Sequence, residues 1–234
     1  MKKFLSIFAL AIAYQFALAQ SDAFIRPTVD TYVSICTQCD ASRSSANFGS
    51  APTLWVNGEQ YNEWGTGRAL LKFDVAKIPT DAKIIKLRLY ATSGDTRAGF
   101  DSRIQILRME KSWDEMSVTW NTPTQFDRNV YAEKVIQPNT IVGWHEWDIT
   151  GLVKDWQGEK FVNHGLMLFS TAVNSNGGFR IFVSADDKAQ AALAPQLQWV
   201  TAQTAEREAN NQRRLESSAL ASGSVPQGST ITGS

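Results

Sequence analysis

The sequence predicts an all-β fold, a single jelly-roll-like antiparallel β-sandwich with a short helix and a polar C-terminal tail, and three observations carry that prediction. Apolar residues between Phe24 and Thr201 recur in short runs with a period of two, the mark of strands that bury one face. Clusters of Gly, Pro, Asn, Asp and Ser separate the runs, where turns are needed. The chain is 43% hydrophobic, enough for one substantial core.

Each run assigns its own faces, because successive strand side chains point to opposite sides. In "LWV", Leu54 and Val56 take the inner face and leave Trp55 outside. "ALLKFDV" sends Ala69, Leu71, Phe73 and Val75 inward and Arg68, Lys72 and Asp74 outward. "KIIKLRLYA" buries Ile85, Leu87 and Leu89 and exposes Lys86, Arg88 and Tyr90, while "RIQILRM" buries Ile104 and Ile106 and exposes Arg103 and Gln105. "HEWDI", "HGLMLFS", "FRIFVSA" and "PQLQWV" continue the pattern. The one helical turn is "DITGLVKDWQGEK", in which Asp148 or Thr150 caps and Leu152, Val153 and Trp156 share a face.

The two ends differ in composition. Residues 1–19 read as a secretory signal: Lys2 and Lys3, the apolar run "FLSIFALAIA", then small residues at Ala17 to Ala19. The mature chain is expected to start at Gln20, to be secreted to the outside or the cell surface, and to carry no membrane span. Without those two lysines 21 basic residues face 23 acidic ones, a balance that argues against a nucleic-acid partner. Residues 24–201 form the expected sandwich domain. Residues 202–234 form a polar tail, helical at first and then Gly/Ser-rich, which acts as a flexible tether or a partner segment.

The only cysteines, Cys36 and Cys39 in "ICTQCD", are expected to form a local disulfide in an exported chain. A zinc site would need His145 and His164, whose spacing matches no metal motif. No Gly-x-Ser-x-Gly, His-Glu-x-x-His or phosphate-cradling glycine loop is present. In "KSWDEMSVTWNTP" strand alternation separates Asp114 from Glu115, so the pair makes a poor glycosidase dyad, and Trp113 and Trp120 read as core anchors around Val118.

Sugar binding needs aromatic faces together with charged or hydrogen-bonding groups. Trp55 and the loop aromatics Tyr61 and Trp64 supply the first, and Arg68, Lys72, Lys86, Arg88 and Arg103 supply the second if their strands share a sheet. For an acidic sugar these cations provide the counterpart, since an arginine grips a carboxylate with two parallel hydrogen bonds. A structural calcium is the one cofactor considered, with Asp30, Asn47 and Asp187 as oxygen ligands.

The words "DTYV", "NFGS", "LWV", "GRALLKFDVAKIPTDAKIIKLRLYA", "SWDEMSVTWNTP", "WHEWDITGLVKDWQGEKFVNHGLMLFS" and "PQLQWV" resemble, in order and spacing, the DNRLRE domain, also grouped as carbohydrate-binding module family 96. The resemblance spans nearly all of Asp30 to Val200. It implies a secreted jelly-roll module without catalytic residues, some of whose relatives bind acidic polysaccharides such as alginate. Where the family tends to a Ser-Arg-Glu-like word, this chain has "SADD" at Ser184 to Asp187. Two function classes remain: a polysaccharide-binding module, and a structural or adhesive extracellular protein without a sugar ligand.

Overall fold

The protein is described by a computed structural model that covers residues 23–36, 40–58, 65–92, 101–122, 124–138, 142–172 and 179–221. Eleven strands appear among these residues: β1 (Phe24–Ile25), β2 (Val29–Ile35), β3 (Thr53–Asn57), β4 (Thr66–Lys72), β5 (Ala82–Ala91), β6 (Ser102–Arg108), β7 (Ala132–Ile136), β8 (Gly143–Asp148), β9 (Leu166–Ala172), β10 (Phe179–Val183) and β11 (Gln196–Thr201). Helix α1 (Thr150–Gln157) follows β8, and helix α2 (Ala202–Ala221) follows β11. The period-two runs of the sequence are thus strands, and all the named pairings are antiparallel.

The strand order is β1-β11-β5-β10-β3-β4-β9-β6-β7, with β8 added to β5 and β2 to β4. This sheet folds over at two short seams. β10 meets β5 only at Phe182 opposite Ala91, and β3 meets β4 only at Asn57 opposite Gly67. One layer therefore holds β1, β11, β5 and β8, the other β2, β4, β9, β6 and β7, and the β3–β10 ribbon bridges them.

Between the layers lies the expected core. Leu54, Val56, Ala69, Leu71, Phe73, Ile85, Leu87, Leu89, Ile104 and Ile106 are all buried there with Trp147, Leu168 and Phe182. Helix α1 closes one end: Leu152, Val153 and Trp156 face inward, and the Asp148 carboxylate accepts the Thr150 N–H at 3.0 Å where the helix starts. The polar tail expected after Thr201 is helical over its first 20 residues, Ala202–Ala221, and Glu206 and residues 210–218 are exposed.

A second apolar cluster lies on the outer side of the five-stranded layer. Val33, Leu70, Leu107, Met109 and Met167 point away from the main core yet are buried, because Val118, Trp113, Trp120 and Phe126 pack on them. Residues 110–122 and 124–126 run as a strap over this face rather than as a strand. Backbone hydrogen bonds tie its ends, Glu110 N to Gln125 O at 2.8 Å and Asp127 N to Arg108 O at 2.9 Å. The Trp113 indole donates to His164 O at 2.9 Å, and Asn121 N donates to Ser44 O at 3.1 Å.

The middle of the strap is clamped by "NFGS". The Asn47 side-chain amide donates to Glu115 O at 2.8 Å and Val118 O at 2.9 Å. A Cβ on Gly49 would stand 2.3 Å from Glu115 O, so only glycine allows the strap to approach so closely. Trp113 and Trp120, expected as core anchors, are half-buried holders of this strap instead.

Candidate functional site: an arginine cleft beside the strap

Beside the strap, on the outer side of β4, β9 and β6, is a cleft of about 330 Å³ lined by Arg68, Gln105, Leu107, Phe126, Arg128 and Phe169. Strand pairing builds its floor: Gln105 stands opposite Phe169, and Leu107 opposite Met167. Phe126 arrives from the end of the strap through a bridge to Met109. The Arg68 guanidinium carbon lies 4.5 Å from the ring centre of Trp120, 5.1 Å from Phe169 and 5.6 Å from Phe126. Stacking in an aromatic cage fixes a side chain that would otherwise sample many rotamers.

The six lining residues bring two cations and no carboxylate. Arg128 is exposed. At the margin, Glu133 accepts from the Gln105 amide at 2.7 Å and from the Arg103 guanidinium. Burial would raise the Glu133 pKa, but the Gln105 hydrogen bond is the largest influence and, with Arg103, holds it below the usual range. The cleft thus presents aromatic walls with fixed positive charge, an arrangement suited to an anionic, partly apolar ligand.

The single basic face expected from the sequence does not form. Arg68, Lys72 and Arg103 lie on the outer side of the five-stranded layer, whereas Lys86 and Arg88 lie on β5 in the opposite layer. Lys72 stands four residues along β4 from Arg68, roughly 13 Å away at strand rise, and does not line the cleft. Lys86 Nζ and Arg88 Nε each lie 2.9 Å from an oxygen of Glu146. Alternation gave the correct side of each strand, but the layer assignment depends on pairing.

Trp55 is also placed differently. Leu54 and Val56 are buried as predicted, but the Trp55 ring stacks on Tyr32 at 5.3 Å, meets Phe179 edge-on at 5.2 Å and has the Arg43 guanidinium 5.3 Å away. The ring is half-buried and one face is already covered, so it is no open stacking surface. Phe48 continues the stack on the far side of Tyr32 at 4.2 Å. Tyr61, Trp64 and Cys39 lie outside the described residues, as does the segment from Met1 to Ala19.

The nominated calcium ligands separate. Asn47 uses its amide group on the strap and its Oδ1 to accept Gly49 N at 3.1 Å. Asp187 accepts Ala189 N and Gln190 N, both at 3.0 Å, in its own turn. Asp30 instead meets Glu115 of the strap and Asp186, one carboxylate oxygen of each lying within 4.8 Å of the others.

Within that trio Glu115 Oε1 accepts Asp30 N at 2.7 Å, and Asp30 accepts from Ser184 Oγ at 3.2 Å and Ala185 N at 2.9 Å. Burial pushes the Asp30 carboxyl up to about 6 against those two hydrogen bonds, with Asp186 and Glu115 adding repulsion. Burial likewise raises Glu115. Such a group can share a proton or hold a hard cation. Strand alternation separates Glu115 from Asp114 as half of a poor dyad, and the half-buried Glu115 carboxylate's contact with Asp30 has no signature in that alternation.

Arg128, Phe126 and Phe169 were not singled out by sequence reasoning. Phe126 and Arg128 sit in "TQFDRN", which has no periodicity, and Phe169 is an outward residue of a strand whose outer side the strap covers in part.

An all-β sandwich whose surface cleft is lined by Arg68, Arg128, Phe126 and Phe169 has the form of a ligand-binding module. The profile of carbohydrate-binding module family 96 matches residues 21–201, and the chain belongs to that family. Comparison with curated proteins finds no match. No described helix is long and apolar enough to cross a membrane.

Proposed function

We propose that the protein is a secreted, non-catalytic module that binds an anionic polysaccharide of the polyuronate class, such as alginate, in the cleft between Arg68 and Arg128. One observation carries this reading: in a member of a carbohydrate-binding family, the cleft lining holds two arginines and two phenylalanines and no acid. A uronate carboxylate would pair with a guanidinium while the sugar's C–H face rests on Phe126 or Phe169. Exposed ion pairs contribute only about 0 to 1 kcal/mol each, so affinity depends on repeated contacts along a chain and falls with salt.

Electrophoresis in gels containing alginate tests it. Wild-type protein should be retarded at low salt and released at high salt, and Arg68→Ala and Arg128→Ala should each weaken retention, whereas Lys86→Ala with Arg88→Ala should not. If alginate and pectate both fail to retard the folded wild type, the reading is wrong and a structural or adhesive role replaces it.

Export belongs to the same proposal. Cys36 is buried, and its carbonyl accepts Asp40 N at 3.2 Å, so the two residues that flank positions 37–39 lie side by side, which supports a local Cys36–Cys39 disulfide. Intact mass of the secreted form should correspond to a chain starting at Gln20 and should rise by the mass of two hydrogen atoms on reduction, which adds two electrons and two protons to the disulfide.

A further inference from the structure

The opposite side of the sandwich carries a second set of aromatic and polar side chains with a different charge balance. On β8, β5 and β11 the outward partners are Trp144 with Tyr90, Glu146 with Arg88, and Asp148 with Lys86, continued by Gln196 beside Arg88 and Gln198 beside Lys86. None of the described strap residues packs on this side; Tyr90, Trp144 and Gln198 are half-buried, and Gln196 is buried. We propose that this face is a second, separate glycan platform, for an uncharged pyranose chain, centred on Tyr90 and Trp144.

Ring geometry is the first argument. The two ring centres are 5.5 Å apart with planes at 84°, so the pair forms a right-angled corner rather than a closed stack. A pyranose has an apolar C–H face and an edge of hydroxyls, and it can lay the former on one ring while its rim meets the other. Arg88 lies 4.7 Å from the Trp144 ring centre and holds that ring in place.

Charge is the second argument, and it decides the class of ligand. Lys86 and Arg88 supply two positive charges, Glu146 and Asp148 two negative ones, and the row sums to zero. Glu146 is held at 2.9 Å by both cations; burial alone would raise its pKa, yet the pair keeps it below the usual range. A uronate arriving here would meet a guanidinium already committed to a carboxylate. Neutral hydroxyls suit the site better, because paired charged groups and the Gln198 amide retain donor and acceptor capacity toward them.

This inference rests on the family membership and on the β5 face, and it does not depend on the acidic reading of the arginine cleft. Electrophoresis in gels containing hydroxyethylcellulose, galactomannan or xylan, with alginate gels run in parallel, separates the two. The wild type should be retarded by at least one neutral polymer, with little change when salt is raised, and Arg68→Ala should be retarded equally. Trp144→Ala should weaken that retention on the order of tenfold, equivalent to about 1.4 kcal/mol, while leaving alginate retention intact.

Thermal melts accompany each variant, and if Trp144→Ala does not fold, Tyr90→Ala and Gln198→Ala are read in its place. The proposal is overturned if no neutral polymer retards the folded wild type, if retention vanishes with salt, or if it survives in the folded face variants. Loss of alginate retention alone would overturn the cleft reading and leave this one standing.

Discussion

The two outer faces of this sandwich start from the same kind of strand and end as different environments. On the five-stranded side, outward residues Leu70, Leu107 and Met167 are only 1 to 4% exposed, because the strap covers them. On the four-stranded side the outward Lys86 side chain is 44% exposed and paired with a neighbouring acid. Alternation determines which side of a strand a residue occupies, and a loop far along the chain determines whether that side meets water. Arg68 and Arg88 both stack on tryptophan, but the first is caged by strap and strand aromatics beside a cleft without acids, and the second is locked to Glu146.

The comparison is broken most forcefully from inside. Trp147, 2% exposed and in the main core, should cost about 3 to 5 kcal/mol when truncated to alanine. Trp120→Ala should cost less than Trp147→Ala, because its ring is half-buried and belongs to the strap. It should also weaken alginate retention by freeing Arg68 from its cage. Denaturant unfolding of both variants checks the order; equal losses would mean that the strap is continuous with the core in energy as well as in space.

The next largest effect is a pH dependence specific to the strap side. The folded Asp30 carboxyl titrates near 6 against an ordinary 3.8, so between those values the folded state holds a proton that the unfolded chain has released. Stability should therefore fall as pH rises from about 4 to 6, by up to about 3 kcal/mol at ~1.4 kcal/mol per pH unit. Asp30→Asn should flatten that slope in chelator-treated protein. If calcium instead raises the melting temperature at neutral pH and Asp30→Asn abolishes the rise, the trio is occupied by a cation rather than a shared proton.

A smaller effect follows at Gly49. An alanine there places its Cβ 2.3 Å from Glu115 O, a backbone atom that has to shift, and the strap is displaced. Overpacking of this kind costs about 1 to 3 kcal/mol. The loss should appear with faster hydrogen exchange in residues 110–122 and unchanged exchange in β5 and β8; uniform acceleration would contradict a locally clamped strap.

These contrasts also mark what was legible in the sequence. The inward sets of Leu54 and Val56, of Ile85, Leu87 and Leu89, and of Ile104 and Ile106 are read correctly because burial of one sheet face imposes period two on the residues themselves. The partnership of β4 with β9 rather than β5 is set by long-range pairing, which leaves no periodic trace, and so Lys86 and Arg88 were grouped with Arg68. Trp55 fails for a related reason. Its neighbours Leu54 and Val56 are buried as alternation requires, but Trp55 is itself half-buried against the main core, and Tyr32 and Arg43 come from elsewhere in the chain to cover it. Likewise Asp30 could be nominated as an oxygen ligand in or beside a loop, whereas Glu115 and Asp186 become its neighbours only through the strap and the turn after β10.

The smallest expected effect sharpens the comparison from the bare side. Lys86, Arg88 and Glu146 are linked at 2.9 Å, yet the Lys86 and Glu146 side chains are 44% and 34% exposed, so water screens the pair. Lys86→Ala should cost no more than about 0 to 1 kcal/mol. The pH sign is opposite to that of Asp30. The Glu146 pKa is held below its ordinary value, so the stabilisation is present above that value and is lost as pH falls through the folded one. Lys86→Ala should thus reduce stability slightly at neutral pH and converge on the wild type in acid. Added salt should shrink the difference further, as screening requires. A double-mutant cycle with Glu146→Gln measures this directly. A coupling well above 1 kcal/mol that salt does not reduce would show that the bare face is shielded from solvent after all, and the contrast between the two faces would fail at its simplest point.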